Sequence, residues 1–235
     1  MTEEGPALPL DILLERASIA FTASPPTPPI TAVVNDSRKG NATSVFVAIP
    51  GFEMDGHAFL HAAVKAGCPA VIVERIPDVP LPVPTIAVAN ARQAFALLNA
   101  ALYGNPSQEM TVVGITGTDG KSTVTNMIRT IWDACSIPAA SFTTIGHTVR
   151  GVFTPNTGHV TTQEADILQR ELRSARDAGC THIALETSSH ALALDRVYGT
   201  AYRAAVFTRI TSDHLELHGT REEYRKAKGL LLASA

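Results

Sequence analysis

The stretch "TVVGITGTDGKSTVTNMI", residues 111–128, joins an apolar run to an amphipathic pattern through a turn rich in glycine. Residues 111–116 predict a central parallel strand covered on both faces, because the run is nearly continuous rather than alternating. From Ser122 to about Cys135, the residues Val124, Met127, Ile128, Ile131, Trp132 and Cys135 recur at helical spacing. A glycine-rich turn in this setting brings backbone N–H groups and the positive end of a helix to one point, where they can hold phosphate. Gly117 and Gly120 let the backbone approach an anion, Lys121 neutralises the outer phosphates, and Ser122 can ligate Mg²⁺. The strict phosphate-loop spacing is not met, since position 115 is isoleucine and the nearest glycine is Gly114. A ligand-free turn is the competing reading. The Lys-Ser pair at the helix start favours a nucleoside triphosphate, but it names no reaction.

Outward from this loop the chain alternates strands and helices. "SVFVAIP", "PAVIVE" and "TIAVAN" read as strands, with helices at "HAFLHAAVKAG" and at "ARQAFALLNAALYG", the latter capped by Asn90. Phe95, Leu98 and Leu102 form the inner face of that second helix. "YGNPSQE", residues 103–109, breaks the pattern with glycine, asparagine and proline. A boundary there gives two α/β units with parallel sheets, 1–107 and 108–235. After the phosphate loop come a less regular stretch holding "TPNTGHVTT", a helix over about 163–178, and strands at "THIALE" and "AAVFTRI".

Bulk properties narrow the class. The 235 residues are 45% hydrophobic and 17% charged with a net charge of −3, and no basic block stands out, which argues against a nucleic-acid-coating protein. No apolar run is long enough to span a bilayer, and the acidic start "MTEEGPALPLDILLERAS" lacks the features of a signal peptide. A cytoplasmic location is the expectation. Cys68, Cys135 and Cys180 fit no metal spacing; Cys68 and Cys180 read as small buried residues at helix-to-strand turns.

Two later stretches add charged groups to the loop. "ALETSSHALALDR" places Glu186 at the carboxyl end of a strand, where α/β sheets bind ligands, and "FTRITSDHLELHG" places Asp213 and His214 just past the next one. With the phosphate loop, they suggest a Mg²⁺ cluster. The final helix, "REEYRKAKGLLLASA", carries Tyr224, Ala227 and Leu231 on a buried stripe, and Lys228 lies on the same stripe. Thr220 and Glu223 fit a capping box at its start. An inward lysine about 4 Å from a divalent cation would be repelled by roughly 8 kcal/mol at an effective dielectric near 20. Addition of CO₂ to the neutral amine would turn that repulsion into attraction. The alternative is a stem that packs while its ammonium reaches water.

"GITGTDGKST", "ETSSHAL", "SDHLELHG" and "YRKAKGLL", in this order, resemble the Mur ligase family of peptidoglycan synthesis, most of all its MurE branch. "NDSRKGNATSVFVAIPGFEMDGHAF" is similar to the uridine-binding domain of that branch, so the likeness runs from about residue 30 to the end. The resemblance implies an ATP-dependent ligase that adds the third amino acid to UDP-MurNAc-L-Ala-D-Glu through an acyl phosphate. It implies that Gly117, Thr118, Gly120, Lys121, Ser122 and Thr123 hold ATP, and that Ser122, Glu186, His214 and a CO₂-carbamylated Lys228 surround Mg²⁺. Lys121, Glu186, His214 and Lys228 would form the catalytic set. Thr161, Thr162, Ser188 and Arg196 would contact the UDP-MurNAc-dipeptide, and Ser37 its uridine side. Without the resemblance, Thr161 and Thr162 read only as a helix N-cap.

The sequence departs from the family pattern at Asp119, where asparagine is commoner, at Arg209 and Ser212, where asparagine and arginine are usual, and at Leu194. Family members are considerably longer, so the chain is expected to be a fragment, inactive as a ligase by itself. Other readings are a MurF-type ligase, a folylpolyglutamate synthase, or a noncatalytic nucleotide or UDP-sugar binder.

Overall fold

The computed structural model describes residues 7–21, 26–51, 54–156, 161–211 and 219–235. The chain divides into two compact units, Met1–Gly104 and Asn105–Ala235.

The first unit is built on a parallel sheet of four strands in chain order: β1 (Ala32–Val34), β2 (Ser44–Val47), β3 (Val71–Val73) and β4 (Thr85–Ala87). Helices α1 (Leu10–Arg16), α2 (Leu60–Lys65) and α3 (Ala91–Leu102) accompany it, with α3 packed on β1, β2 and α1. Asn90 caps α3 as its sequence predicts, accepting from the Gln93 N–H at 3.0 Å. Phe95, Leu98 and Leu102 face inward and are buried. Cys68 is buried beside Val71, where glycine at φ +103° in position 67 turns the chain from α2 toward β3.

The second unit carries a six-stranded sheet in the order β10-β5-β9-β6-β7-β8. Its parallel part comprises β5 (Thr111–Thr116), β6 (Ala139–Thr143), β9 (His182–Glu186) and β10 (Tyr202–Phe207). The irregular stretch expected before "HVTT" is largely an antiparallel extension, β7 (Gly146–Val149) and β8 (Val152–Pro155), paired outward from β6. Its turn uses Arg150 at φ +50° and Gly151 at φ +81°, the paired left-handed residues of a tight hairpin. Helix α4 (Lys121–Ala134) follows β5, α5 (Ala165–Asp177) precedes β9, and α6 (Ser189–Ala193) and α7 (Arg221–Ala233) complete the unit.

One core cluster unites Val112 of β5, Ala140 and Phe142 of β6, Leu168 and Leu172 of α5, Ile183 and Leu185 of β9, Tyr202 of β10 and Leu231 of α7. Helix α4 contributes nothing to it. It lies against β6 and β9, and of its predicted apolar stripe Met127 and Ile131 are 59% and 61% exposed while Cys135 is also exposed. The stripe was read from spacing alone, and the described residues put only Thr125 of this helix fully inside. On α7 the spacing succeeds: Tyr224, Ala227, Lys228 and Leu231 are all buried, and Arg221, Glu222, Arg225 and Lys226 all face out.

Gly114 shows how closely α7 meets the sheet. A Cβ there would lie 2.7 Å from Leu231 Cδ1 and 2.7 Å from the Tyr202 ring. Gly114→Ala should therefore cost about 1–3 kcal/mol by overpacking. Gly229→Ala, at an exposed helical position whose added Cβ meets nothing within 4 Å, should instead stabilise by up to about 1 kcal/mol. Urea unfolding of the two variants checks this; equal midpoints would mean that the seam between α7 and β5 is looser than described.

Candidate functional site

The loop after β5 is shaped by its glycines and by the end of β10. Gly117 has φ +153°, and a Cβ built on it would come within 1.8 Å of Thr208 Oγ1, so no other residue fits here. Thr208 donates its hydroxyl to the carbonyls of Thr116 at 3.2 Å and Asp119 at 2.7 Å. The Thr118 N–H donates to the Arg209 carbonyl at 2.7 Å, and Asp119 and Arg209 form an isolated antiparallel bridge. Two positions that depart from the family pattern are thus backbone neighbours. Gly120, at φ +80°, starts α4 with open space around its Cα. Lys121 folds back onto the Thr118 carbonyl at 2.9 Å. Thr123, on the first turn of α4, is exposed.

Glu186 ends β9 and is 1% exposed. Its carboxylate accepts from the Ser122 hydroxyl at 2.8 Å, the Thr144 N–H at 2.9 Å and the Thr144 hydroxyl at 3.1 Å. These donors replace the water lost on burial and hold the carboxylate at one spot. Ser122 and Glu186, singled out separately in the sequence, are therefore in direct contact.

Thr161 and Thr162 do not cap α5; Glu164 is the cap residue, and its side chain makes no capping bond. Thr162 instead is buried against the end of β9 and the start of α6, donating to the Glu186 carbonyl at 3.0 Å and accepting from the Ser188 N–H at 3.0 Å. Thr161 accepts from the Thr144 hydroxyl at 3.2 Å. The Ser188 side chain caps α6 by accepting from the Ala191 N–H at 3.1 Å. Arg196 pairs with Glu164 at 2.7 Å and reaches the Thr162 carbonyl at 3.4 Å. Its buried Nε–H has no acceptor among the described residues.

Lys228 is 1% exposed, and its Nζ donates to the Gly117 carbonyl at 2.7 Å. The amine also sits 4.5 Å from the centre of the Tyr224 ring. The alternative of an ammonium reaching water is excluded by this burial. Tyr224 adds a second link, its hydroxyl lying 3.0 Å from that of Thr118, which in turn accepts from the Thr211 N–H at 2.9 Å. Thr220 caps the helix by accepting from the Glu223 N–H at 3.2 Å; the Glu223 carboxylate accepts from Lys226 at 2.8 Å.

His214, Asp213 and Ser212 lie outside the described residues. Among the described residues no three His, Cys, Asp or Glu side chains converge as a metal cluster. The oxygens of Ser122 and Glu186 are the hard donors that suit Mg²⁺, and the open space at Gly120 leaves room for an anion beside them. Ser37 belongs to the first unit, in a short 3-10 turn (Ser37–Lys39) begun by Asp36. Hydrogen bonds from Arg38, at 2.7 Å from its guanidinium, hold the Asp36 carboxyl down to about 2. Sequence reasoning missed Thr144, Thr208 and the Tyr224 hydroxyl. Thr144 follows β6, a strand that the periodicity did not reveal, and Thr208 gives no motif beyond its place after β10.

Comparison with known proteins bears directly on this arrangement. The family described as "Mur ligase middle domain" matches residues 115–235, and "Mur ligase family, catalytic domain" matches residues 29–103. The chain belongs to the Mur ligase family. Among its relatives, the "UDP-N-acetylmuramoyl-L-alanyl-D-glutamate--2,6-diaminopimelate ligase" of Geobacillus thermodenitrificans is 38% identical over 224 residues, 95% of this chain and 45% of that protein. A "UDP-N-acetylmuramyl-tripeptide synthetase" from a Roseiflexus species is 40% identical over 210 residues, 88% of this chain and 41% of that protein. A solved structure of a diaminopimelate ligase of the first name superposes with TM-score 0.78 at 27% identity, covering 98% of this chain and 45% of that one. A MurF structure from Acinetobacter baumannii, at 20% identity and TM-score 0.62, over 98% of this chain and 47% of that one, shares the fold. This Mur ligase chain spans less than half the length of these relatives. No described helix is long and apolar enough to cross a membrane.

Thr162 ties the turn before α5 to the end of β9. Thr162→Val keeps its shape but leaves the Ser188 N–H and the Glu186 carbonyl unpaired, and should cost about 1–3 kcal/mol. Thr162→Ser should recover most of that loss. Thermal or urea unfolding of both variants measures the difference; two indistinguishable variants would remove the hydroxyl from the account.

Proposed function

We propose that this chain carries the nucleotide- and UDP-sugar-binding half of an ATP-dependent amide ligase of peptidoglycan precursor synthesis, of the MurE type. In the whole enzyme, the carboxylate of UDP-MurNAc-L-Ala-D-Glu would take the terminal phosphoryl group of ATP to give an acyl phosphate. The amine of the third amino acid would then displace phosphate and form the amide. The observation that carries the reading is the buried amine of Lys228 against the Gly117 carbonyl at 2.7 Å, within a chain of this family.

The residues suit their proposed tasks. The loop from Gly117 to Thr123, with Thr118, Gly120, Lys121 and Ser122 between, would hold the ATP phosphates, and Lys121, bonded here to the Thr118 carbonyl, would supply the cation among them. Mg²⁺, when bound, would offset triphosphate charge and polarise the terminal phosphorus. Ser122 and Glu186 would hold it, with His214 and the Lys228 carbamate as further ligands. Carbamylation takes one proton from a neutral amine and leaves one N–H, which can still donate to the Gly117 carbonyl. A buried site disfavours the ammonium and so favours the neutral amine that reacts. Thr161 would face the UDP-MurNAc-dipeptide with its hydroxyl, while Thr162 and Ser188, whose hydroxyls are engaged within the chain, would place the turn and the start of α6 beside it. The Nε–H of Arg196, without an acceptor among the described residues, is a donor suited to an anionic oxygen, while Ser37 would serve the uridine end. Reaction in the cytoplasm follows from this substrate class.

The test uses the 235-residue chain. Equilibrated with ¹³C-bicarbonate, it should show one carbamate carbon resonance that disappears in Lys228→Ala. By calorimetry it should bind Mg²⁺-ATP, and Lys121→Ala should weaken that binding at least tenfold, about 1.4 kcal/mol. Absence of both the carbamate and the nucleotide binding in the wild-type chain would sink the reading. Nucleotide binding without carbamate would favour a noncatalytic binder.

A further inference from the structure

A cleft of 410 Å³ lies between the β7–β8 hairpin and the first two turns of α5. Its floor is apolar, with Phe142, Leu168 and Leu185. Thr161 and Thr162 stand among its lining residues, and so do His147 of β7 and Glu171 of α5. We infer that Glu171, with His147 opposite it, is a positioning residue whose protonation state sets how closely α5 approaches the hairpin and thereby where the Thr161–Thr162 turn stands. The inference rests on the proposed function only in taking these two threonines as substrate contacts.

The geometry connects the pair to the turn by a short path. His147 Nδ1 and Glu171 Oε1 are 3.9 Å apart, one across from the other, with side chains 28% and 24% exposed. The imidazole is stacked at 5.6 Å on Phe142, which limits its movement. Further along the same cleft, the Gln163 amide donates to Asn156 Oδ1 at 2.8 Å, and the Asn156 amide donates to the Thr144 carbonyl at 3.1 Å. Thr144 then touches both Thr161 and Glu186. Hairpin and helix are thus joined at one end by amides and at the other by a titratable pair. Separating them at Glu171 pulls on the contact between Thr144 and Thr161.

Glu171 makes no hydrogen bond among the described residues, which is unusual for a carboxyl so poorly exposed. Burial pushes it up to about 7, slightly offset by Arg170, and burial also lowers His147. His147, Glu171 and Arg170 are the only titratable side chains lining the cleft among the described residues; β6 and β8 present neutral groups. Below about pH 7 the Glu171 carboxyl is neutral and can stay beside the apolar floor of the cleft. Above it the Glu171 carboxylate draws water, which its burial restricts. The sign is that of a carboxyl raised on folding: its contribution to stability is full below the ordinary carboxylate range and is lost as pH rises to about 7.

The experiment needs neither nucleotide nor substrate, so its outcome is independent of whether the proposed ligase reading holds. In the ¹⁵N-threonine-labelled chain, the Thr161 and Thr162 amide resonances should titrate between pH 5.5 and 8.5 with the midpoint of the Glu171 side-chain carbon. Glu171→Gln should hold both amides at their low-pH positions and remove the fall in melting temperature over that range. His147→Phe, which keeps the stacking but removes the nitrogen, should retain the titration and move its midpoint upward. Threonine amides that stay fixed while Glu171 titrates, or that still titrate in Glu171→Gln, would overturn the inference.

Discussion

A buried amine must find acceptors, and in this protein the requirement fastens α7 to the glycine loop after β5. Lys228 reaches the Gly117 carbonyl because three neighbours allow the helix so close: Gly114 without a side chain, Leu231 fitted over it, and Tyr224 bonded to Thr118. A lysine here costs desolvation that leucine would not. Burial of the same stripe by Tyr224, Ala227 and Leu231 offsets that cost and fixes the nitrogen beside the loop. The loop in turn is closed from the other side by Thr208, so its backbone is held between β10 and α7. Its open side is the one at Gly120.

The second charged group is treated differently. Glu186 is buried as deeply as Lys228, but among the described residues hydroxyls and an N–H bond it rather than a cation. Neutral donors stabilise the carboxylate without cancelling its charge, which leaves it able to attract a metal ion. Ser122 gives up its hydroxyl proton to this contact, so its lone pairs point elsewhere. The site thereby combines fixed oxygens with one buried amine nitrogen. Under the proposed function, the carboxylate and the modified amine would each face the metal rather than one another.

Legibility differed by residue and for physical reasons. β5 was readable because a strand covered on both faces leaves an uninterrupted apolar run, and α7 because its stripe includes the one residue, Lys228, that should not be buried. Asn90 gave away the start of α3. The hairpin was not readable: β8 is exposed along its length and β7 only partly covered, so neither strand shows apolar alternation. Thr161 and Thr162 looked like a cap because a threonine before a helix usually is one; Thr162 instead bonds the Glu186 carbonyl and the Ser188 N–H, and Thr161 the Thr144 hydroxyl. The contact between Ser122 and Glu186 needed the strand order to bring β5 beside β9. On α4 the spacing of apolar residues was real, yet spacing cannot say what, if anything, covers a face.

The pieces of the site are far apart along the chain: Ser122 and Glu186 by 64 residues, Thr118 and Tyr224 by 106, Gly117 and Lys228 by 111. Closing the longest of these loops rather than the shortest adds only about 0.5 kcal/mol of entropy, because that cost grows with the logarithm of length. The burden falls on the rate instead, since distant contacts reward the chain only after most of it is already ordered. A strand and its glycine turn can form early from local residues. The lysine that holds the loop is supplied by α7, 111 residues further along, so this contact depends on the intervening sheet being in place.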